Sequence, residues 1–248
     1  PGCQNWELSH VEVESQVERL PELSPAQAVA LARKEGCVGI SWTFNEPTIW
    51  FEYTLDGASA AKRAGLFTNY VTNGSITPEA LDAIGPYLDI FRVDLKAYSR
   101  DVLRRLTDFP NPAFILAATE RAQQRWGMHV EVVTNVIPGV NDAEEELQRL
   151  GEWIVQHLGR DTPWHVTRFH PHLLFSHYPV TPLATLEAGQ RLGREAGLRY
   201  VYIGNVPGHA AENTYCPQCQ AEVIGRHSLA VTRYTLVRGR CRRCGLRI

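Results

Sequence analysis

Short apolar runs alternate with helical stretches along most of this chain, and that alternation limits the fold more than any single motif does. The runs lie at 38–42, 66–72, 90–95, 130–137, 164–169 and 200–203. Each is rich in β-branched and aromatic residues and bounded by Gly, Pro or Asn, the pattern of buried strands. Between them lie helix signals. Ser24-Pro25 opens a helix through Ala28, Leu31 and Ala32 toward Gly36, with a hydroxyl cap and a proline in the first turn. Thr77-Pro78 opens a second, and Thr181-Pro182 a third that ends near Gly197. Over 142–158, Leu147, Leu150, Ile154 and Leu158 recur at helical spacing behind acidic residues that suit a helix N-terminus, and Asp142 is placed to cap it.

Strand, helix, strand, repeated, demands right-handed crossovers and a parallel sheet. Six strands are too few for a closed eight-stranded barrel. The expected fold class is therefore α/β, a partial (open) β/α barrel over 1–211 followed by a small C-terminal domain over 212–248. A doubly wound sheet satisfies the same periodicity.

Polar residues gather where the strand candidates end: Asn45-Glu46-Pro47, Thr72-Asn73-Gly74, Asp94-Leu95-Lys96, Asn135, Arg168 with His170, and Gly204-Asn205. Parallel α/β folds bind ligands at this end of their strands, because strand termini and helix N-termini meet there. Any strand end runs into a polar loop, which explains some of these positions. Six in succession ask for more.

The cysteines carry a separate message. Cys216 and Cys219 form one C-x-x-C pair, and Cys241 and Cys244 another, with Pro217 and Gly245 in the knuckles. Two such pairs at this distance read as a four-cysteine, zinc-ribbon-like site for Zn or Fe, since each turn presents two thiolates to a tetrahedral ion. So small a domain has little core, and metal binding would supply folding energy on the order of 10 kcal/mol. Strand-like runs at 229–231 and 234–237 belong to it. Cys37 reads as a small buried hydrophobe beside the first strand run.

With 25 basic and 27 acidic residues the net charge is −2, which points away from nucleic acid and anionic membranes. No apolar run reaches the roughly 20 residues of a membrane span. Paired, metal-type cysteines fit a reducing cytoplasm.

Two strings carry a family resemblance: Pro1-Gly2-Cys3-Gln4-Asn5-Trp6, and Trp42-Thr43-Phe44-Asn45-Glu46-Pro47-Thr48. The first looks like the end of the radical S-adenosylmethionine (SAM) cluster loop, C-x-x-x-C-x-x-C. Together with the C-terminal ribbon they resemble the AmmeMemoRadiSam system radical SAM proteins, relatives of the pyruvate formate-lyase activating enzymes. The resemblance implies a [4Fe-4S] cluster on three cysteines and SAM on its fourth iron. It implies reductive SAM cleavage to a 5′-deoxyadenosyl radical that removes hydrogen from an unknown substrate. It also implies an external electron donor and companion proteins of that system. Cys3 would be the third cluster cysteine, with the other two and a first strand expected upstream of Pro1.

By the same resemblance, Glu46 would hold the SAM amino group, with Phe44 and Asn45 standing where the family has glycines. Thr72, Asn73, Asp94 and Lys96 would line the SAM or substrate site, Asn135 would lie in the segment against adenine, and Arg168 and His170 would meet the ribose or carboxylate. Two other readings stay open. One is a non-catalytic scaffold whose ribbon, basic through Arg226, Arg233, Arg238, Arg240, Arg242, Arg243 and Arg247, docks a partner or nucleic acid. The other is a metal-dependent barrel hydrolase built on His170 and His172.

Overall fold

The structure, a computed structural model, describes Asn5, Leu8 and residues 21–248. Its contacts divide the chain into two units. The first comprises residues up to Leu95, Thr107–Glu131 and His172–His177; the second comprises Lys96–Leu106, Val132–Pro171 and Tyr178–Ile248.

In the first unit, α1 (Pro25–Lys34) leads to β1 (Gly39–Trp42), α2 (Phe51–Arg63), β2 (Phe67–Thr72), α3 (Pro78–Ile84) and β3 (Ile90–Asp94). Ser24 and Gln27 form a reciprocal capping box on α1, and the Thr77 hydroxyl accepts from Ala80 N on α3, so both local cap signals are realised. The strands run parallel in the order β1-β2-β3. Trp42, Tyr70, Phe91 and Val93 are buried on one face. Helix α2 packs on Trp42 and helix α5 (Pro112–Gln124) brings Ile115 to the Val93 side. Helices α2 and α5 were not among the sequence expectations. Asn111-Pro112 did carry the signal for α5, since the Asn111 side chain caps it.

In the second unit, β4 (His129–Val136, of which Val132 onward belongs here), β5 (Trp164–Arg168) and β6 (Val201–Gly204) are again parallel and in sequence order. Neither set contains the reversal of strand order that defines a doubly wound sheet. Helix α4 (Arg100–Leu106) precedes β4, α6 (Glu144–Trp153) follows it, and α7 (Leu183–Glu195) joins β5 to β6. Trp164 is fully buried and donates through Nε1 to Thr134 Oγ1 at 3.0 Å. Helix α7 crosses it at Gly193, where an added Cβ would sit 2.7 Å from the indole.

Four local expectations change. The helix expected over 142–158 is α-helical only to Trp153 and continues as a π-turn over Ile154–Leu158. Asp142 does not cap it: its carboxylate accepts from Gly139 N at 2.8 Å, and Ala143 holds the cap position. Thr181 does not cap α7 either. Its hydroxyl accepts from Phe169 N at 2.9 Å and donates to Val136 O, so buried backbone groups claim it first. Cys37 is exposed, because it lies in the turn after α1 with only its N–H held, by Ala32 O.

The C-terminal segment is a three-stranded antiparallel sheet, β7 (Thr214–Tyr215), β8 (Glu222–His227) and β9 (Ala230–Tyr234), in that order. The strand runs read at 229–231 and 234–237 are displaced because Leu229, though apolar, is fully exposed in the hairpin turn beside Ser228. Among the described residues no helix is long and apolar enough to cross a membrane.

Candidate functional site

The chain leaves β1 through a three-residue turn in which Asn45 N–H meets Thr43 O at 3.1 Å. Phe44 at its centre has φ 74 and is 63% exposed, so a bulky residue occupies a conformation that suits glycine. The backbone here forms a glycine-like turn, and the Phe44 ring is largely in solvent.

The turn delivers the Glu46 carboxylate to the end of β2. Oε1 accepts from Thr72 Oγ1 and Thr48 Oγ1, each at 2.7 Å, and from Thr48 N at 3.2 Å. Oε2 accepts from Asn73 N alone, at 2.7 Å. Thr48 spends its one hydroxyl proton on Glu46, so Tyr70, 3.0 Å away, donates to Thr48. Burial pushes the Tyr70 phenol up to about 12, which keeps that donor protonated. Thr72 Oγ1 also accepts from Gly74 N, and Asn73 Oδ1 from Ser75 N. The result is a rigid anion with one oxygen saturated and the other open to a further donor, a geometry suited to an ammonium group. Thr48 and Tyr70 were missed in the sequence because a hydroxyl in a turn and a core tyrosine carry no spacing signal. Asn45 lies in the turn itself, and Asp94 is half-buried at the end of β3.

In the second unit the ends of β4 and β5 are bracketed by asparagines. Asn135 Nδ2 donates to Thr167 Oγ1 and to Arg168 O, both at 3.1 Å, and Asn205 Nδ2 donates to the same carbonyl at 3.0 Å. Asn141, 1% exposed, accepts from Ile137 N and donates to Lys96 O at 2.8 Å and Asn135 O at 2.9 Å. It ties Lys96 to the end of β4, a role the sequence did not reveal. The Arg168 guanidinium has its Nε buried with no hydrogen-bond partner. His170 is exposed and His172 half-buried.

The four C-terminal cysteines converge. Cys216 Sγ is 3.4 Å from Cys244 Sγ, Cys219 Sγ is 3.6 Å from Cys241 Sγ, and all four sulfurs lie within 4.8 Å of one another. Two equivalent knuckles present them: Gln220 N bonds Cys216 O, Gly245 N bonds Cys241 O, and Gln220 and Gly245 both have positive φ. The N–H of Cys244, with that of Arg243, lowers the Cys241 thiol to about 7. Four cysteine sulfurs this close could hold one metal ion, and the donor set fits tetrahedral Zn²⁺ or Fe²⁺. Among the described residues this is the one group of three or more potential ligands, and His170 and His172 are not in it. Cys3, the cluster ligand assigned by resemblance, lies outside the described residues.

Residues 1–151 match the model of the Radical SAM superfamily. The "Uncharacterized protein MJ0808" of Methanocaldococcus jannaschii is 36% identical over 248 residues, spanning 99% of this chain and 72% of that protein. A domain of the pyruvate-formate lyase-activating enzyme from Bacteroides vulgatus superimposes with TM-score 0.59 at 18% identity, covering 67% of this chain and 99% of the other. A radical SAM methyltransferase from Sphaerobacter thermophilus gives TM-score 0.58 at 17% identity over 77% of this chain and 61% of the other. At such identities the two structures speak for the fold, an α/β partial barrel with parallel strands.

Proposed function

This chain belongs to the radical SAM superfamily, and from that premise we propose that it is an enzyme that cleaves SAM reductively and passes a hydrogen-abstracting radical to its substrate. The family implies an iron–sulfur cluster and SAM. When bound, that pair supplies the electron and the carbon radical; the chemistry is the cofactor's, and the protein contributes position and exclusion. Cys3 is assigned to the cluster. The finer placement, in the AmmeMemoRadiSam branch next to the activating enzymes, rests on the sequence strings and the four-cysteine ribbon.

The observation that carries this reading is the Glu46 carboxylate, fixed by four hydrogen bonds with Oε2 open to one more donor. We assign Glu46 to the SAM amino group, with Thr72 and Asn73 holding it in place and Asn45 shaping the turn. Asp94 and Lys96 are assigned to the SAM or substrate site, with Lys96 to a carboxylate, Asn135 to the segment beside adenine, and Arg168 and His170 to the SAM ribose or carboxylate. Cys216, Cys219, Cys241 and Cys244 are assigned to a structural Zn or Fe site in a domain spanning 212–248.

The test uses the natural full-length protein, anaerobically reconstituted with iron and sulfide. Reduced with dithionite in the presence of SAM, it should form 5′-deoxyadenosine and methionine. A protein that binds a cluster yet neither binds nor cleaves SAM would overturn the proposal.

A further inference from the structure

Among the described residues, three buried side-chain polar atoms have no hydrogen-bond partner: Asn69 Oδ1, Arg92 Nε and Arg168 Nε. Arg168 belongs to the SAM assignment above. The other two lie together. In the first unit, Thr68, Tyr70, Thr72, Phe91 and Val93 are buried on the face the helices cover. The alternate positions Asn69, Val71, Ile90, Arg92 and Asp94 are half-buried on the opposite face. There Val71 lies beside Arg92 and Ser41 beside Asn69. Asn69 is two residues before Val71, so Asn69 and Arg92 are separated by about 7 Å along the strands.

This face is unusual for a strand interior. Asn69 spends one end of its amide on Ser41 Oγ at 3.0 Å and leaves the other end unpaired and shielded from water. Arg92 Nε is likewise buried with no hydrogen-bond partner. Arginine is always ionised, and a guanidinium with a dry, unpaired Nε is destabilising unless something else completes it. Two such orphans on adjacent strands, on the same face, call for partners that the described residues do not supply.

We propose that Arg92 binds the anionic group of the substrate, a carboxylate or a phosphate, and that a hydrogen-bond donor elsewhere on the same ligand meets Asn69 Oδ1. Both residues lie short of the strand termini where Thr72 and Asn73 hold Glu46, so the anion is seated deeper along the strands than the SAM amino group. Naming this ligand the substrate rests on the radical SAM reading; the anion site does not.

The experiment is calorimetric titration of the anaerobic, reconstituted full-length protein with inorganic phosphate in one series and succinate in another. SAM is titrated separately into the same samples. The wild type should bind one of the two anions saturably, and which one it binds identifies the headgroup. Arg92→Gln should weaken that affinity at least about tenfold, while leaving SAM affinity within about twofold. Asn69→Asp sets a negative charge against the anion and should weaken binding similarly; it serves as the test if Arg92→Gln does not fold. Absence of saturable binding of either anion by the wild type overturns the proposal. So does retention of wild-type anion affinity in the folded variants. Failure of the wild type to bind SAM would instead overturn the radical SAM reading, and the anion titrations would still decide the site.

Discussion

The Thr72 hydroxyl donates to Glu46 Oε1 at 2.7 Å, so the last residue of β2 fixes a carboxylate that belongs to the loop after β1. With Thr48 and Asn73 completing the set, the carboxylate is oriented before any ligand arrives. Its reorganisation on binding is small, which is how a preformed site gains affinity.

Glu46→Gln removes the charge and sets an N–H where a donor already points. SAM affinity should fall by about tenfold or more, the value of one charge-assisted hydrogen bond. Thr72→Val leaves the charge but loosens it, and should cost about 1–2 kcal/mol of stability, because Gly74 N also loses its acceptor. Equilibrium binding and urea unfolding measure the two effects. Unchanged SAM affinity in Glu46→Gln would remove Glu46 from the site.

Phe44 holds φ 74 with its ring largely in solvent. A side chain in that region costs about 1–2 kcal/mol, while glycine loses about 0.5–1 kcal/mol of chain entropy on folding. Phe44→Gly should therefore be neutral or stabilising by up to about 1 kcal/mol, and Phe44→Val clearly destabilising. Urea midpoints with unchanged slopes would show it; a strongly destabilised glycine variant would mean the ring packs in the natural protein.

The knuckle cysteines should bind one metal ion per chain beyond the iron of the cluster. Elemental analysis should find it lost in Cys219→Ser and in Cys241→Ser. Prolonged chelation should unfold the 212–248 segment, as expected where metal binding supplies on the order of 10 kcal/mol of folding energy. SAM binding should survive in both variants. If metal content is unaffected, the four sulfurs are not its ligands.

Asp82 sits among Arg121 Nε at 2.7 Å, Trp126 Nε1 at 3.0 Å and Arg125 Nε at 3.2 Å. The hydrogen-bonded Arg121 guanidinium, aided by Trp126 and Arg125, lowers its carboxyl from 3.8 to about 2. A depressed carboxyl stabilises the fold above its unfolded value and loses that contribution as pH falls toward the folded value. Asp82→Asn should be less stable than wild type at pH 7, and the two should converge between pH 4 and pH 2. Parallel acid-unfolding curves would contradict the ion cluster.

Much of this protein is written locally. The caps at Ser24 and Thr77, the alternating strands and the paired C-x-x-C knuckles depend on residues within a few positions of one another, so spacing alone exposes them. The strand-end positions that became Glu46, Asn73 and Asn135 were likewise visible from the topology that alternation requires. What spacing could not supply was partnership across long sequence separations. Glu46 meets Thr72, Thr181 meets Val136 and Phe169 rather than capping its own helix, and Asn141 reaches Lys96. The same limit hid Asn69 and Arg92, which look like ordinary strand polar residues until the β2–β3 register sets them on one face. Buried backbone groups and strand registry decide such contacts, because a polar side chain pairs with whichever donor or acceptor the packing has cut off from water. The chain's composition and spacing determined the kind of fold and the cysteine knuckles; the packed structure alone decided which polar residues are paired and which buried polar atoms are left without a partner.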